Sequence, residues 1–479
     1  EQAATLPAEI EISASGVRKT VKVSYTESLI NNVEALTLTG TKYSTDTQGG
    51  DTQGGKVFAG VELGTDSFTV SATFGNISNC AGGGGSALFS TANADFWDGV
   101  TCYVNPERIR FKFAGVQAGS SVDISGDFTK YNEWTNFVFH FDRSASKSIT
   151  ITVYADGELV GTKTTVLNED LTFDYGDSKN FVLGGYNLEA KGQTSSFTGA
   201  APVNANSFGL TSAAFAVTKG IVPVDIAEAY LNGAMQSYSI DVSSVKADFG
   251  FNDGTTTNSV SESGVAMELN AAAASSVVAG REGGEDKAIR INSTSMYYDV
   301  NGFDPDVNSF TVSMWLKMDF TTALNANGSG IVLFATTDPA SASGVTASIR
   351  QNTIRMRMNG TNNFMTVKNT DRYTDKWTNF TFSFTRGAGK CVVNVYVNFA
   401  LAATSTVTVD DAVSLSNPEK ASFIGIGRGV EVADSTGGDY ENGVFKWYED
   451  NTHTVDDIVI IDKELNAAEV LGLMNYYKA

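Results

Sequence analysis

Two stretches of the chain resemble each other so closely that they fix its organisation. Trp134–Lys147 and Trp377–Lys390 share nine of fourteen residues at an offset of 243 positions. Neighbouring blocks keep nearly the same spacing: Ser67–Ser71 returns as Ser309–Ser313, and Phe181–Gly185 is echoed by Phe423–Gly427. Solenoid repeats run about 20 to 50 residues, so a period this long denotes two copies of a whole domain. The expected domains are residues 1–235, with a divergent start, and residues 244–479, joined by the short polar stretch near Met235–Ser244. Each would hold roughly 200 to 250 residues, enough for its own core.

Within each copy the pattern is that of strands. Phe137, Phe139 and Phe141 alternate with Val138, His140 and Asp142, the period of a strand with one buried face. Ile149–Tyr154 reads as the next strand, and Asp156-Gly157 after it is a hairpin turn whose central residues both need positive φ. The second copy has Asn398-Phe399 there, which predicts a different turn. Each copy closes on a strand and one short helix; in the second, Leu465, Val470, Leu473 and Met474 recur at helical spacing. Forty-seven glycines against seven prolines, with many Thr, Ser, Val and Phe, agree with short strands and glycine turns.

Charge removes some functions. A formal net charge of −21 and the lack of Lys/Arg clusters oppose binding to nucleic acid or anionic lipid, and no apolar run approaches the ~18 residues that span a bilayer. Acidic character does suit divalent cations and neutral ligands such as sugars. The three cysteines, Cys80, Cys102 and Cys391, are too few for a disulfide scaffold; Cys80 and Cys102 are either bridged or two inert thiols, and Cys391 reads as a buried thiol in an apolar strand. The chain opens at Glu1 with neither methionine nor a signal-like h-region, as after removal of an export signal or after trimming.

The order of five weak motifs in the second copy resembles the laminin G-like, concanavalin A-like domains of surface proteins from gut Bacteroidota. They are Ala247–Gly254, Lys287–Ile291, Ser309–Lys317, Lys376–Phe380 and Val455–Ile460. The first copy is similar from Ser67 onward, including Tyr154–Gly157. The resemblance implies an all-β fold of two tandem antiparallel β-sandwiches of jelly-roll type, ligands met on a concave face or loop edge, and glycans or proteins as partners. It also implies an extracellular or cell-surface location, with components of an outer-membrane uptake complex as possible associates. By the same resemblance Asp253 and Asp456 are nominated to hold a structural Ca²⁺ in the second domain, the alternative being plain surface carboxylates.

Catalysis has little to work with. Glycanases of this fold carry Glu-x-Asp-x-x-Glu on one strand, and no such run occurs; Glu9-Ile10-Glu11 and Asp174–Asp177 lack the third carboxylate. Of the two histidines, His140 is placed on the polar side of its strand and His453 in a solvated loop. No Gly-x-Ser-x-Gly elbow is present. Sugar rings stack on exposed aromatic faces, and the candidates in irregular stretches are Trp97, Tyr440, Trp447 and Tyr448; Trp134, Trp315 and Trp377 are assigned to strands and core. The expectation is a non-catalytic binding protein for a glycan, accessory to uptake or adhesion. A protein-docking subunit is the second reading and a glycoside hydrolase the last.

Overall fold

The computed structural model describes residues 9–14, 17–22, 28–38, 56–75, 77, 86–91, 99–113, 121–131, 133–145, 147–167, 172–174, 179–184, 210–270, 276–291, 297–305, 309–318, 331–336, 344–350, 353–358, 361–366, 373–387, 389–408, 415, 423–426, 440–441, 444–445 and 453–478. Among these residues the architecture is all-β, with antiparallel sheets paired into two jelly-roll sandwiches accompanied by the short α-helices Val224–Gln236 and Ala467–Tyr476.

In the first sandwich one sheet runs β4-β3-β2-β1-β5, where β1 is Phe68–Gly75, β2 Thr135–Ala145, β3 Ser148–Ala155, β4 Glu158–Val166 and β5 Leu210–Lys219. Beyond β5 lie Ser28–Asn32 and Leu36–Leu38, so part of the divergent start joins this sheet; Glu9–Ala14 and Val17–Lys22 form a separate hairpin. The opposed sheet runs Val122–Ser125, Arg108–Phe113, Val100–Asn105, Ser86–Ser90, Phe181–Leu183, Lys56–Phe58. Phe137, Phe139 and Phe141 project between the sheets and are fully buried, as their alternation predicts.

The second sandwich repeats this plan. β6 (Val245–Phe249), β7 (Ser276–Ala279), β8 (Lys287–Ile291), β9 (Phe310–Met318), β10 (Thr378–Gly387), β11 (Lys390–Val397), β12 (Ala400–Thr408) and β13 (His453–Ile461) form one sheet in the order β7-β8-β13-β9-β10-β11-β12, with β6 also on β13. The stacked pair Phe68–Phe141, with ring centroids 4.3 Å apart, has its counterpart in Phe310–Phe384 at 4.4 Å. Cys102 and Cys391 are buried free thiols inside the two cores, and Cys80 lies outside the described residues.

The outward faces of the central strands are buried too, under the helices α1 (Val224–Gln236) and α2 (Ala467–Tyr476). That is why these faces carry small hydroxyl residues: Thr311 donates to the Lys463 carbonyl at 2.8 Å, Ser313 and Thr381 bond each other at 2.8 Å, and the Ser383 hydroxyl donates to the Leu465 carbonyl at 3.1 Å. A buried hydroxyl without such partners would cost about 1–3 kcal/mol. Asn466 and Glu469 close a capping box at the start of α2, and Val470, Leu473 and Met474 are buried beneath it.

Two readings of the sequence need correction. His453 is not a solvated loop residue: it opens β13, is 4% exposed, and neither ring nitrogen has a partner among the described residues. The Asn398-Phe399 turn does not differ in hand from Asp156-Gly157. All four residues have positive φ, 47° and 76° in the first sandwich and 48° and 65° in the second.

Candidate functional site

The sandwiches meet around a cleft of about 610 Å³. From the first come Trp134, Asn136, Asp156, Asn232 and Met235; from the second come Arg281, Trp315, Trp377, Phe399 and Asn475. Several of these stand at the sequence offset noted above, Trp134 with Trp377, Asn232 with Asn475 and Met235 with Lys478, and Asp156 matches Asn398 one position short of it. Equivalent strand ends, hairpin turns and helix ends of both sandwiches thus line one cleft.

The three tryptophans therefore require a further correction. Trp134 and Trp377 immediately precede β2 and β10, Trp315 lies on the outer face of β9, and all three are half-buried walls of the cleft. The indole N–H groups of Trp134 and Trp315 are shielded from bulk water and find no acceptor among the described residues. An unpaired buried donor costs free energy, and because neither nitrogen is open to a water-sized probe that cost is part of how the walls pack.

Trp315 is held from several sides. The Arg281 guanidinium lies 4.5 Å from its ring centroid, and Phe399 and Tyr477 pack edge-on with centroids at 5.7 and 6.2 Å. Phe399 is 4% exposed and occupies the left-handed region at φ 65°. For a bulky residue that backbone costs about 1–3 kcal/mol, and packing against Trp315 and Tyr477 offsets it. Trp134 of the first sandwich packs against the same apolar cluster of the second.

Polar groups are fixed between these rings. The Asn136 side chain accepts from Thr73 at 2.7 Å and donates to Asn232 at 2.8 Å, while its backbone N–H donates to Asp156 at 2.8 Å. Asn475 donates to the carbonyls of Met235 and Tyr238 at 2.9 and 2.8 Å, leaving its own side-chain oxygen without a bond from the described residues. Burial, offset partly by the Asn136 N–H, raises the pKa of Asp156.

Behind Arg281 sits an acidic group. The Arg281 side chain bonds Asp457 at 3.0 Å, and its backbone N–H donates to Asp456 at 2.9 Å. Asp457 has positive φ at a bulge where β13 changes register against β9. Burial, reinforced by the neighbouring Asp457 charge, pushes Asp456 up to about 8; burial likewise lifts Asp457 to about 6 against the pull of Arg281.

Of the residues nominated from sequence, Trp97, Trp447 and Tyr448 lie outside the described residues. Tyr440 starts the two-residue strand Tyr440–Glu441, paired with Val444–Phe445, and its side chain is likewise outside them. Asp253 is exposed, and its carboxylate accepts from the Thr255 N–H at 2.8 Å and hydroxyl at 2.6 Å. Asp456 is fully buried, with its oxygens taken by the N–H groups of Arg281 and Asp457. Calcium takes six to eight oxygens, and among the described residues no group of three or more His, Cys, Asp or Glu is arranged for a metal. Asp174 accepts from the backbone N–H groups of Leu63 and Gly64 and so holds a loop.

Residues 49–203 match the family model described as the concanavalin A-like lectin/glucanases superfamily, a segment that includes β1 to β4. A search of curated proteins finds no match. Among solved structures, the binding domain of Paraclostridial Mosquitocidal Protein 1 is similar with a TM-score of 0.36, at 15% identity, over 51% of this chain and 53% of that chain. The botulinum neurotoxin serotype D binding domain gives 0.35, at 14% identity, over 49% and 52%. The serotype D ligand binding domain in complex with N-acetylneuraminic acid gives 0.36, at 16% identity, over 51% and 52%. The chain thus spans about half of each. Among the described residues no helix is long and apolar enough to cross a membrane.

Proposed function

We propose that this chain is a non-catalytic glycan-binding protein of the cell surface or extracellular space, built from tandem copies of one sandwich, whose sugar ligand sits between them. The cleft carries this reading. Three half-buried indoles share one wall system with fixed side-chain amides. Sugars present apolar ring faces and a rim of hydroxyls, and such a mixture of flat apolar surface and directed polar groups complements both. An accessory role in nutrient uptake or adhesion is consistent with a protein that captures glycan without cleaving it.

The test is a glycan array followed by affinity electrophoresis on the full chain, comparing Trp377→Ala with Trp97→Ala and Trp447→Ala. The cleft reading expects Trp377→Ala to weaken binding at least about tenfold, the loss of one stacked ring, with the other two variants close to wild type. Binding that survives Trp377→Ala but is lost with Trp97→Ala or Trp447→Ala would move the site to the loops. Absence of any glycan binding would favour the protein-docking reading.

A further inference from the structure

We infer that the cleft selects uncharged saccharides and rejects acidic ones, a conclusion that rests on the glycan-binding reading and specifies its ligand class. The charged groups lining the cleft are Glu133, Asp156, Glu282, Arg281 and Lys478. A ligand carboxylate would need a cation free to receive it. Arg281 is engaged by Asp457 at 3.0 Å and by Glu282, with its guanidinium carbon over the Trp315 ring at 4.5 Å from the centroid. To clamp a ligand anion it would have to leave Asp457, whose carboxylate is only 17% exposed. Breaking a buried pair in that way strands a charge in a poorly solvated place. Lys478 is the cation of the lining left to a ligand, and it shares the cleft with the carboxylates of Glu133, Asp156 and Glu282.

Negative charge is already crowded on the first-sandwich side. The carboxyl of Asp156 is raised by burial and by the charge of Glu158, and Glu228, raised chiefly by burial, feels Asp156 in turn. Another carboxylate there would add to that like-charge repulsion. Hydrogen-bond supply points the same way. The carboxylates of Glu133, Asp156 and Glu282 and the Asn475 side-chain oxygen are acceptors, so the cleft calls for a ligand rich in O–H donors. The hydroxyls of an uncharged sugar provide them.

The experiment is a tryptophan-fluorescence titration of the full chain with matched ligands: a neutral oligosaccharide that scores on the array, and the same oligosaccharide ending in sialic acid or a uronic acid. The neutral ligand is expected to bind at least about tenfold more tightly at low salt, and the gap is expected to narrow as salt screens the cleft. Glu133→Lys should raise affinity for the acidic ligand. Equal or tighter binding of the acidic ligand, abolished by Trp377→Ala, would overturn the charge selection and leave the glycan site standing. Binding of neither ligand, with no neutral hit on the array, would overturn the selection together with the glycan reading.

Discussion

Gly472 of α2 lies so close to the backbone of Ser239 that a Cβ on the glycine would overlap the serine carbonyl. Three residues on, Asn475 grips the carbonyls of Met235 and Tyr238. The stretch between the sandwiches is thus seated on the C-terminal helix, and the cleft walls depend on that seat. Gly472→Ala should lower stability by about 1–3 kcal/mol, the cost of forcing atoms into a packed contact. Helix propensity alone would favour alanine by about 1 kcal/mol, so a fall in the melting temperature isolates the clash. Glycan affinity should fall with it, and calorimetry paired with array binding checks both.

The Asn398-Phe399 turn gives a second prediction. Replacing Phe399 with Gly relieves a left-handed backbone worth about 1–3 kcal/mol but deletes a buried ring worth about 3–5 kcal/mol. The net expectation is a loss of about 2 kcal/mol, read by denaturant unfolding. A variant more stable than wild type would show that the ring contributes little beyond its strain.

Stability should also depend on pH in opposed ways. Asp456 and Asp457 have folded pKa values of about 8 and 6 against 3.8 for the free group, so each favours folding fully below pH 3.8, and this contribution is lost as pH rises through 8 and 6. Burial of His453 lowers it to about 4 from 6.5, so its contribution is present above pH 6.5 and lost as pH falls through 4. Between pH 6.5 and 8.5 Asp456 dominates among the three, and the melting temperature should fall by several degrees. Asp456→Asn should flatten that limb, while His453→Leu should remove the opposing histidine contribution, so that stability rises more steeply as pH falls from 6.5 to 4; differential scanning fluorimetry across pH reads both.

Sequence pattern was sufficient for what depends on local periodicity. Phe137, Phe139 and Phe141 are inner-face residues, and Val470, Leu473 and Met474 are the buried side of a helix, as their spacing requires. It failed where a residue's surroundings come from the other sandwich. Trp134, Trp315 and Trp377 adjoin strands, and strand tryptophans usually fill a core; only the docking of two sandwiches turns them into cleft walls. The matched offset of Trp134 with Trp377 and Asn232 with Asn475 was an available signal, but repetition reports shared structure as readily as a shared site. The hand of the Asn398-Phe399 turn was hidden for a related reason: propensity argues against Phe at positive φ, and tertiary packing overrides it. His453 was misplaced because the strand begins earlier than its apolar run.

Arg281 offers the sharpest test of how the cleft is held. Its guanidinium stacks on Trp315 at 4.5 Å and pairs with Asp457 at 3.0 Å, and the two side chains of that pair are only 15% and 17% exposed. Arg281→Ala removes both contacts. The Asp457 carboxyl, relieved of the charge that lowers its pKa, should move further up from about 6. The lost stability should therefore be greatest above that pH, where Asp457 must ionise without a partner: about 3 kcal/mol at pH 8, the cost of breaking a buried pair. At pH 5 the protonated carboxyl no longer needs the guanidinium, and the deficit should shrink toward the value of the stacking contact, about 1 kcal/mol. Arg281→Lys should restore part of the charge effect but not the stacking, because an ammonium cannot present a planar face to the indole. Denaturant unfolding of the three proteins at both pH values measures the difference. A deficit that is the same at pH 5 and pH 8 would mean that Arg281 acts through packing on Trp315 alone.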